Sequence, residues 1–222
     1  MGLSGVVSMA GNSADYCAVL TSSSVDCWNE GSAPTPVPGV GGIGVLSGVR
    51  NLTADVANHG GDAGYCALLA SGGVDCWGYG ATGELGDGIY HNCMIACGTS
   101  TPTPVIGIGG TGYLKGVTSM ASDGAGYCAV LALGGVDCWG DGLGPTGGGG
   151  SATPIAVQAI GGGGLLSGVT SAAGAGANGR STYCAVLAAG GAACWGANDY
   201  GQLGGGQVTS NSPFPLLVEV SL

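Results

Sequence analysis

The sequence predicts an all-β repeat protein of four blades, each a sheet of four antiparallel strands, and three observations support this. One pattern occurs four times, as DYCAVLTSSSVDCWN (15–29), GYCALLASGGVDCWG (64–78), GYCAVLALGGVDCWG (126–140) and TYCAVLAAGGAACWG (182–196). First cysteines are 49, 62 and 56 residues apart, too far for one hairpin and about right for one propeller blade. The chain holds 51 glycines, few Glu and Lys, and no long stretch with apolar residues at helical spacing, so helix is a poor alternative.

Each unit opens on a Leu-x-Gly-Val marker, at Leu3 to Val6, Leu46 to Val49, Leu114 to Val117 and Leu166 to Val169. The marker leads into a first strand of the type GVTSMA. The YCAVL and VDCW runs form strands two and three, joined by a small-residue turn. A Pro-punctuated apolar stretch (TPVPGVGGIG, TPVIGIGGTG, TPIAVQAIGG, FPLLVEV) supplies a fourth strand of the type PVIGI. The blades are expected at about 3–45, 46–113, 114–165 and 166–222 of a single repeat domain, 1–222. They form either a closed ring or an open stack.

Ten cysteines in five close pairs fit an oxidising compartment and a disulfide framework. Cys17/Cys27, Cys66/Cys76, Cys128/Cys138 and Cys184/Cys194 are each ten positions apart. An odd hairpin loop, with Gly72 in the left-handed position of a three-residue turn, sets Cys66 opposite Cys76. A two-residue turn would point them to opposite faces. Four bonds within blades are expected, each worth roughly 2–3 kcal/mol. Reduced core cysteines are the alternative, and metal binding is disfavoured because the separation lacks zinc-knuckle spacing. Cys93 and Cys97 sit in an insertion, IYHNCMIACGTST (89–101), and are expected to staple that loop. His91, Cys93 and Cys97, with Asp87 as a fourth ligand, are the competing metal reading.

Charged residues are 7% of the chain, and the net charge of −10 sets 13 acids against Arg50, Lys115 and Arg180. Nucleic acid is excluded as a partner, because counterion release needs clustered cations. No apolar run approaches the ~18 residues of a membrane helix. No charged segment followed by an apolar run precedes the first unit, so we expect no secretion signal within these residues. So thinly charged a surface is expected to be buried between subunits or covered by sugar. Asn51 in Asn51-Leu52-Thr53 is a candidate N-linked acceptor, although it falls where the first strand of the second blade should run.

Trp28, Trp77, Trp139 and Trp195 each follow a second cysteine and are expected to pack blade on blade, in preference to forming a sugar or chromophore site. Asp26, Asp75 and Asp137 precede that cysteine and are expected on a solvated blade edge; Ala193 takes their place in the fourth copy. GVGGIG (39–44) and GIGGTG (107–112) satisfy a dinucleotide fingerprint but lead into strands, so no cofactor is expected. Calcium in loops such as GELGDG is a further candidate, without a spacing that demands it. His59 and His91 are the only histidines and accompany no nucleophile signature, so no catalytic residue, and no enzyme, is expected.

YCAVLxxGGVDCWG followed by GELGDG (83–88) or GQLGGG (201–206), then TPxPV and LSGV, resembles the regulator-of-chromosome-condensation (RCC1-like) repeat in its bacterial secreted form. The resemblance covers nearly the whole chain and implies a β-propeller fold. Relatives include a nucleotide-exchange factor, an ultraviolet photoreceptor and a β-lactamase inhibitor, so the fold alone names no activity. Such propellers usually close with seven blades, whereas this chain holds four, and unpaired blade faces are association sites. The expected function is therefore a non-enzymatic extracellular structural protein. It would form a homo-oligomer through its blade ends, as a filament or surface assembly. A soluble binding module gripping another protein through loops 79–101 and 197–211 is the alternative.

Overall fold

The turn in each Cys-Cys hairpin sets the register from which the architecture follows. In the computed structural model, which describes residues 2–12, 15–55, 63–91, 97–141, 150–177 and 180–219, that turn is three residues long. The Leu69 amide donates to the Gly73 carbonyl at 3.0 Å and the Gly72 amide to the Leu69 carbonyl at 2.9 Å, with Gly72 at φ 80°. The odd count puts Cys66 directly opposite Cys76, with Cα atoms 4.1 Å apart, and a disulfide joins them. The same register and bond recur at Cys17–Cys27, Cys128–Cys138 and Cys184–Cys194. Cys97 is also disulfide-bonded; Cys93 and His59 lie outside the described residues.

Four hairpins of this kind are each extended by a strand on either side. Blade 1 contains β1 (Val6–Gly11), β2 (Asp15–Leu20), β3 (Val25–Asn29) and β4 (Thr35–Pro36). Blade 2 contains β5 (Val49–Ala54), β6 (Gly64–Leu69), β7 (Val74–Tyr79) and β8 (Gly98–Pro104). Blade 3 contains β9 (Val117–Ser122), β10 (Gly126–Leu131), β11 (Val136–Gly140) and β12 (Ser151–Ala156). Blade 4 contains β13 (Val169–Ala177), β14 (Arg180–Leu187), β15 (Ala192–Ala197) and β16 (Asn211–Leu217). Within each sheet the strands lie in sequence order and pair antiparallel. The first strands lie side by side, β1 by β5, β5 by β9 and β9 by β13.

The fourth strand differs from its expected place. In blade 2 it is Gly98–Pro104, so the PVIGI motif begins where the strand ends. Pro104 stands opposite Asp75 on the outermost strand, where the missing amide costs no ladder bond. Beyond it, Ile106 forms a bridge to Tyr113, around a 3-10 turn at Ile108–Gly110. The two fingerprint-like glycine runs are these turns. The Gly107 amide donates to the Gly112 carbonyl at 3.0 Å, Gly109 has φ 69°, and Val40–Gly42 and Ile160–Gly162 repeat the arrangement. Each turn links two blades and packs on the outer strand of the next.

Blade 1 breaks the hairpin rule at one place. Its turn reads Thr21-Ser22-Ser23, and Ser23 takes the left-handed position at φ 62°, the one non-glycine with positive φ among the described residues. Glycine fills this place at Gly72, Gly134 and Gly190. A left-handed residue with a Cβ costs about 1–2 kcal/mol. Ser23→Gly is therefore expected to stabilise the chain by about 1 kcal/mol, read as a rise of about 2–4 °C in Tm by scanning calorimetry. An unchanged or lowered Tm would show that Ser23 is unstrained.

Candidate functional site: the two open blade faces

Alternation along a strand gives each blade two unlike faces. On one face stand the disulfide and its strand neighbours at i±2, for example Cys66, Leu68, Val74 and Cys76. On the other stand the tyrosine, alanine and tryptophan, for example Tyr65, Ala67 and Trp77. In each blade the tyrosine and tryptophan are cross-strand partners, with ring centroids 5.7–6.1 Å apart.

Three cores follow from joining these faces in one sense only. The cysteine face of blade 1 (Cys17, Val19, Val25, Val37) meets the aromatic face of blade 2 (Leu52, Tyr65, Ala67, Trp77). The cysteine face of blade 2 meets Tyr127, Ala129 and Trp139 of blade 3. That of blade 3 meets Tyr183, Ala185 and Trp195 of blade 4. The marker residues of the later blade, Leu46 and Val49, Leu114 and Val117, and Leu166 and Val169, are buried in the same three cores.

Polar ties repeat with the cores. The amides of Val49, Val117 and Val169 donate at 3.0 Å to the carbonyls of Ser23, Gly72 and Gly134, the left-handed turn residues of the preceding blade. The Tyr65 hydroxyl donates to the Asp15 carbonyl at 2.8 Å, and Trp139 Nε1 to the Glu84 carbonyl at 3.0 Å.

The two end faces have no such neighbour. Tyr16 is 52% exposed, whereas Tyr65, Tyr127 and Tyr183 are buried. Met9 is 55% exposed, whereas Leu52 in the same place is buried and Met120 packs against a core. At the other end Val186 is 49% exposed, whereas Val19, Leu68 and Val130 are buried. Val218 is 41% exposed, whereas Val37, Val105 and Val157 are buried. A groove of about 570 Å³ on this last face runs past Ala173, Ala175, Thr182 and Cys184. At its rim Arg180 lies over the Tyr200 ring, 5.0 Å from the centroid, and its Nε is 3.0 Å from Asp199 Oδ2.

The tryptophans divide accordingly. Trp77, Trp139 and Trp195 are buried between blades, and Trp28 lies half-buried on the open face of blade 1. Asn51 is exposed on β5, where it stands opposite Leu68 in the ladder. In loop 79–101, Tyr90 is exposed and its hydroxyl donates to the Gly150 carbonyl at 2.8 Å. In loop 197–211, Asn198 is buried, and its amide group holds the Gln207 carbonyl and the Leu203 amide.

The aspartates before the second cysteine are not on a solvated edge. Asp75 and Asp137 are buried, and burial raises both carboxyls above the usual range. Each lies on the aromatic face of its blade, which the preceding blade covers; only Asp26, on the open face of blade 1, keeps partial exposure.

Sequence reasoning missed a second set of acids, at the end of the first strand. Asp55 Oδ1 accepts from the Gly64 amide at 2.5 Å, and Asp123 Oδ1 from the Ala125 and Gly126 amides at 2.9 Å. Asn12 does the same in blade 1, accepting from the Asp15 amide at 2.7 Å. Aligning GVVSMAGN, GVRNLTAD and GVTSMASD shows the shared Asx position. Burial is the main cause that raises the Asp55 carboxyl, to about 7, opposed by its bond from Gly64. Burial also raises Asp123 and Glu84.

The insertion brings Asp87 and His91 together, with Oδ2 and Nε2 3.0 Å apart. Among the described residues no group of three or more His, Cys, Asp or Glu side chains is placed to hold a metal, and no helix is long and apolar enough to cross a membrane.

The buried acids predict a pH dependence. The unfolded carboxyl of Asp55 titrates near 3.8 and the folded one near 7, so between these values the folded chain holds a proton that the unfolded chain releases. Stability is fully present below about pH 4, falls as pH rises towards 7, and levels off above it. Tm is therefore expected to be higher at pH 5.5 than at pH 8. Asp55→Asn, which keeps the oxygen that Gly64 needs, is expected to raise stability at pH 8 and flatten the slope. A Tm that rises with pH would contradict this.

No protein-family model matches the sequence, and no curated protein does. Solved structures match in fold. Human WBSCR16 aligns over 99% of this chain and 55% of its own, with a TM-score of 0.68 at 21% identity. Yeast RCC1 (Prp20), solved bound to Kap60, aligns over 97% of this chain and 49% of its own, with a TM-score of 0.68 at 14% identity. The chain thus spans about half the length of the structures it matches. Four sheets of four antiparallel strands, nearly all of which superpose on about half of each of these proteins, give this chain the fold of an RCC1-like β-propeller repeat protein.

Proposed function

We propose that this chain is a non-enzymatic extracellular structural protein that self-associates through its blade ends into a filament or surface assembly. One observation carries the reading: both terminal sheets present apolar faces whose equivalents elsewhere in the chain are buried by a neighbouring blade. An exposed face of this kind marks an association site. Met9, Tyr16, Val186 and Val218 are 41–55% exposed, so covering each is worth about half of a full burial, or about 1–1.5 kcal/mol. That sum is of the same order as the roughly 4–15 kcal/mol lost in rigid-body freedom on association. Assembly should therefore depend on concentration.

The four disulfides within blades support an oxidising, extracellular setting. The low charge supports a surface largely hidden in an assembly. The acids that burial perturbs support a structural role, since Oδ1 of Asp55 and Oδ1 of Asp123 each accept from backbone amides.

The second reading is a soluble binding module, favoured by exposed Tyr90 and Tyr200 on the two distinctive loops. The likeness to yeast RCC1 (Prp20), whose solved structure includes Kap60, supports protein contact in general.

Negative-stain electron microscopy of native, unreduced protein over a concentration series separates the two. Filaments or arrays with a regular axial repeat are expected. A monodisperse particle of 21.0 kDa at every concentration would remove the structural reading and favour the binding module.

A further inference from the structure

We propose that the partner of the open face on blade 4 is the open face on blade 1 of a second copy, head to tail. The inference rests on the self-association reading and adds its polarity and its residues. Every interface inside the chain joins a cysteine face to an aromatic face, and in none does like meet like. Among the described residues, blade 1 leaves an aromatic face uncovered and blade 4 a cysteine face.

The match extends to individual groups. Inside the chain, the marker leucine and valine of the later blade cover the apolar residues beside the disulfide, as Leu46 and Val49 do at Val19, Val25 and Val37. Leu3 and Val6 hold the marker positions at the head, and Val186, Ala192 and Val218 hold the receiving positions at the tail. Leu3 and Ala192 are half-buried and the other three are exposed.

The amide-to-turn bond has an equivalent pair as well. Val49, Val117 and Val169 donate to the left-handed residue of the turn before them, and the corresponding groups at the two ends are the Val6 amide and the Gly190 carbonyl. Gly190 keeps the left-handed conformation, at φ 87°, that presents this carbonyl in the other blades. The aromatic pair completes the fit. Tyr16 and Trp28, already stacked at 6.1 Å, occupy the place from which Tyr65 and Trp77 cover the disulfide of blade 1. Against a second copy they cover Cys184 and the groove past Ala173 and Ala175.

A head-to-tail contact is heterologous, so copies add into an open filament, or into a ring where the rotation closes. Two single-ended variants test this. Met9→Glu with Tyr16→Glu disables the head and leaves the tail intact. Val186→Glu with Val218→Glu disables the tail and leaves the head intact. All four side chains are exposed, and near-ultraviolet circular dichroism checks that each variant folds. By sedimentation velocity, each variant alone is expected to be monomeric, with self-association weakened at least about 100-fold. An equimolar mixture is expected to form a 1:1 complex that grows no further.

Dimerisation of the tail variant alone would show head-to-head pairing, and of the head variant alone tail-to-tail pairing; either overturns the proposal. Absence of a mixed complex, with the unmodified chain still self-associating, overturns the polarity and leaves the self-association reading standing. A monomeric unmodified chain removes both.

Discussion

Neither face of an inner blade in this chain is left to solvent, and most of the structure answers to that constraint. In a half-buried antiparallel sheet one face takes the core and the other takes water. Here the hairpin strands β6, β10 and their partners are apolar or small on both faces, so each needs a neighbour in front and another behind. Burial of Asp75 and Asp137 is a consequence: on strands covered on both sides these residues keep only 6% and 3% of their surface exposed.

The disulfides serve this arrangement. Each ties the two central strands at a pair of residues that stand directly opposite, and in blades 1, 2 and 3 it lies on the face that receives the next blade. A cystine is compact and apolar, so it fixes the hairpin register and also offers a flat surface for the tyrosine and tryptophan that follow. The left-handed turn residue belongs to the same device. It makes the loop odd, which sets the cysteines opposite, and its carbonyl then receives the next blade.

Much of the fold was legible because the chain repeats its signals. Four cysteine pairs at constant spacing fixed the hairpins, and the turn glycines fixed the loop length. The fourth strand was misplaced because PVIGI has the composition of a strand, whereas its backbone turns at Gly109 and Gly110, whose positive φ angles no apolar pattern reveals. The buried acids were misjudged for a related reason. Alternation told which residues share a face with Trp77 and Trp139, but a charged residue on a strand was assigned to water by default. Asp55 and Asp123 announced themselves only by alignment with Asn12, as side chains that fold a turn back onto its own amides. The open faces could not be read from residue types, since Tyr16 and Val186 match their buried counterparts letter for letter or nearly so. What distinguishes them is position in the stack.

The account stands or falls on whether those two faces become covered in the assembled protein. Hydrogen–deuterium exchange, compared between assembled and dilute protein, reads this directly at the backbone. The account predicts added protection confined to segments 3–29, 173–176, 180–192 and 200–204 and to the stretch around Val218, with the three internal interfaces unchanged. Protection gained instead in loop 79–101, or none at the two end blades, would contradict it.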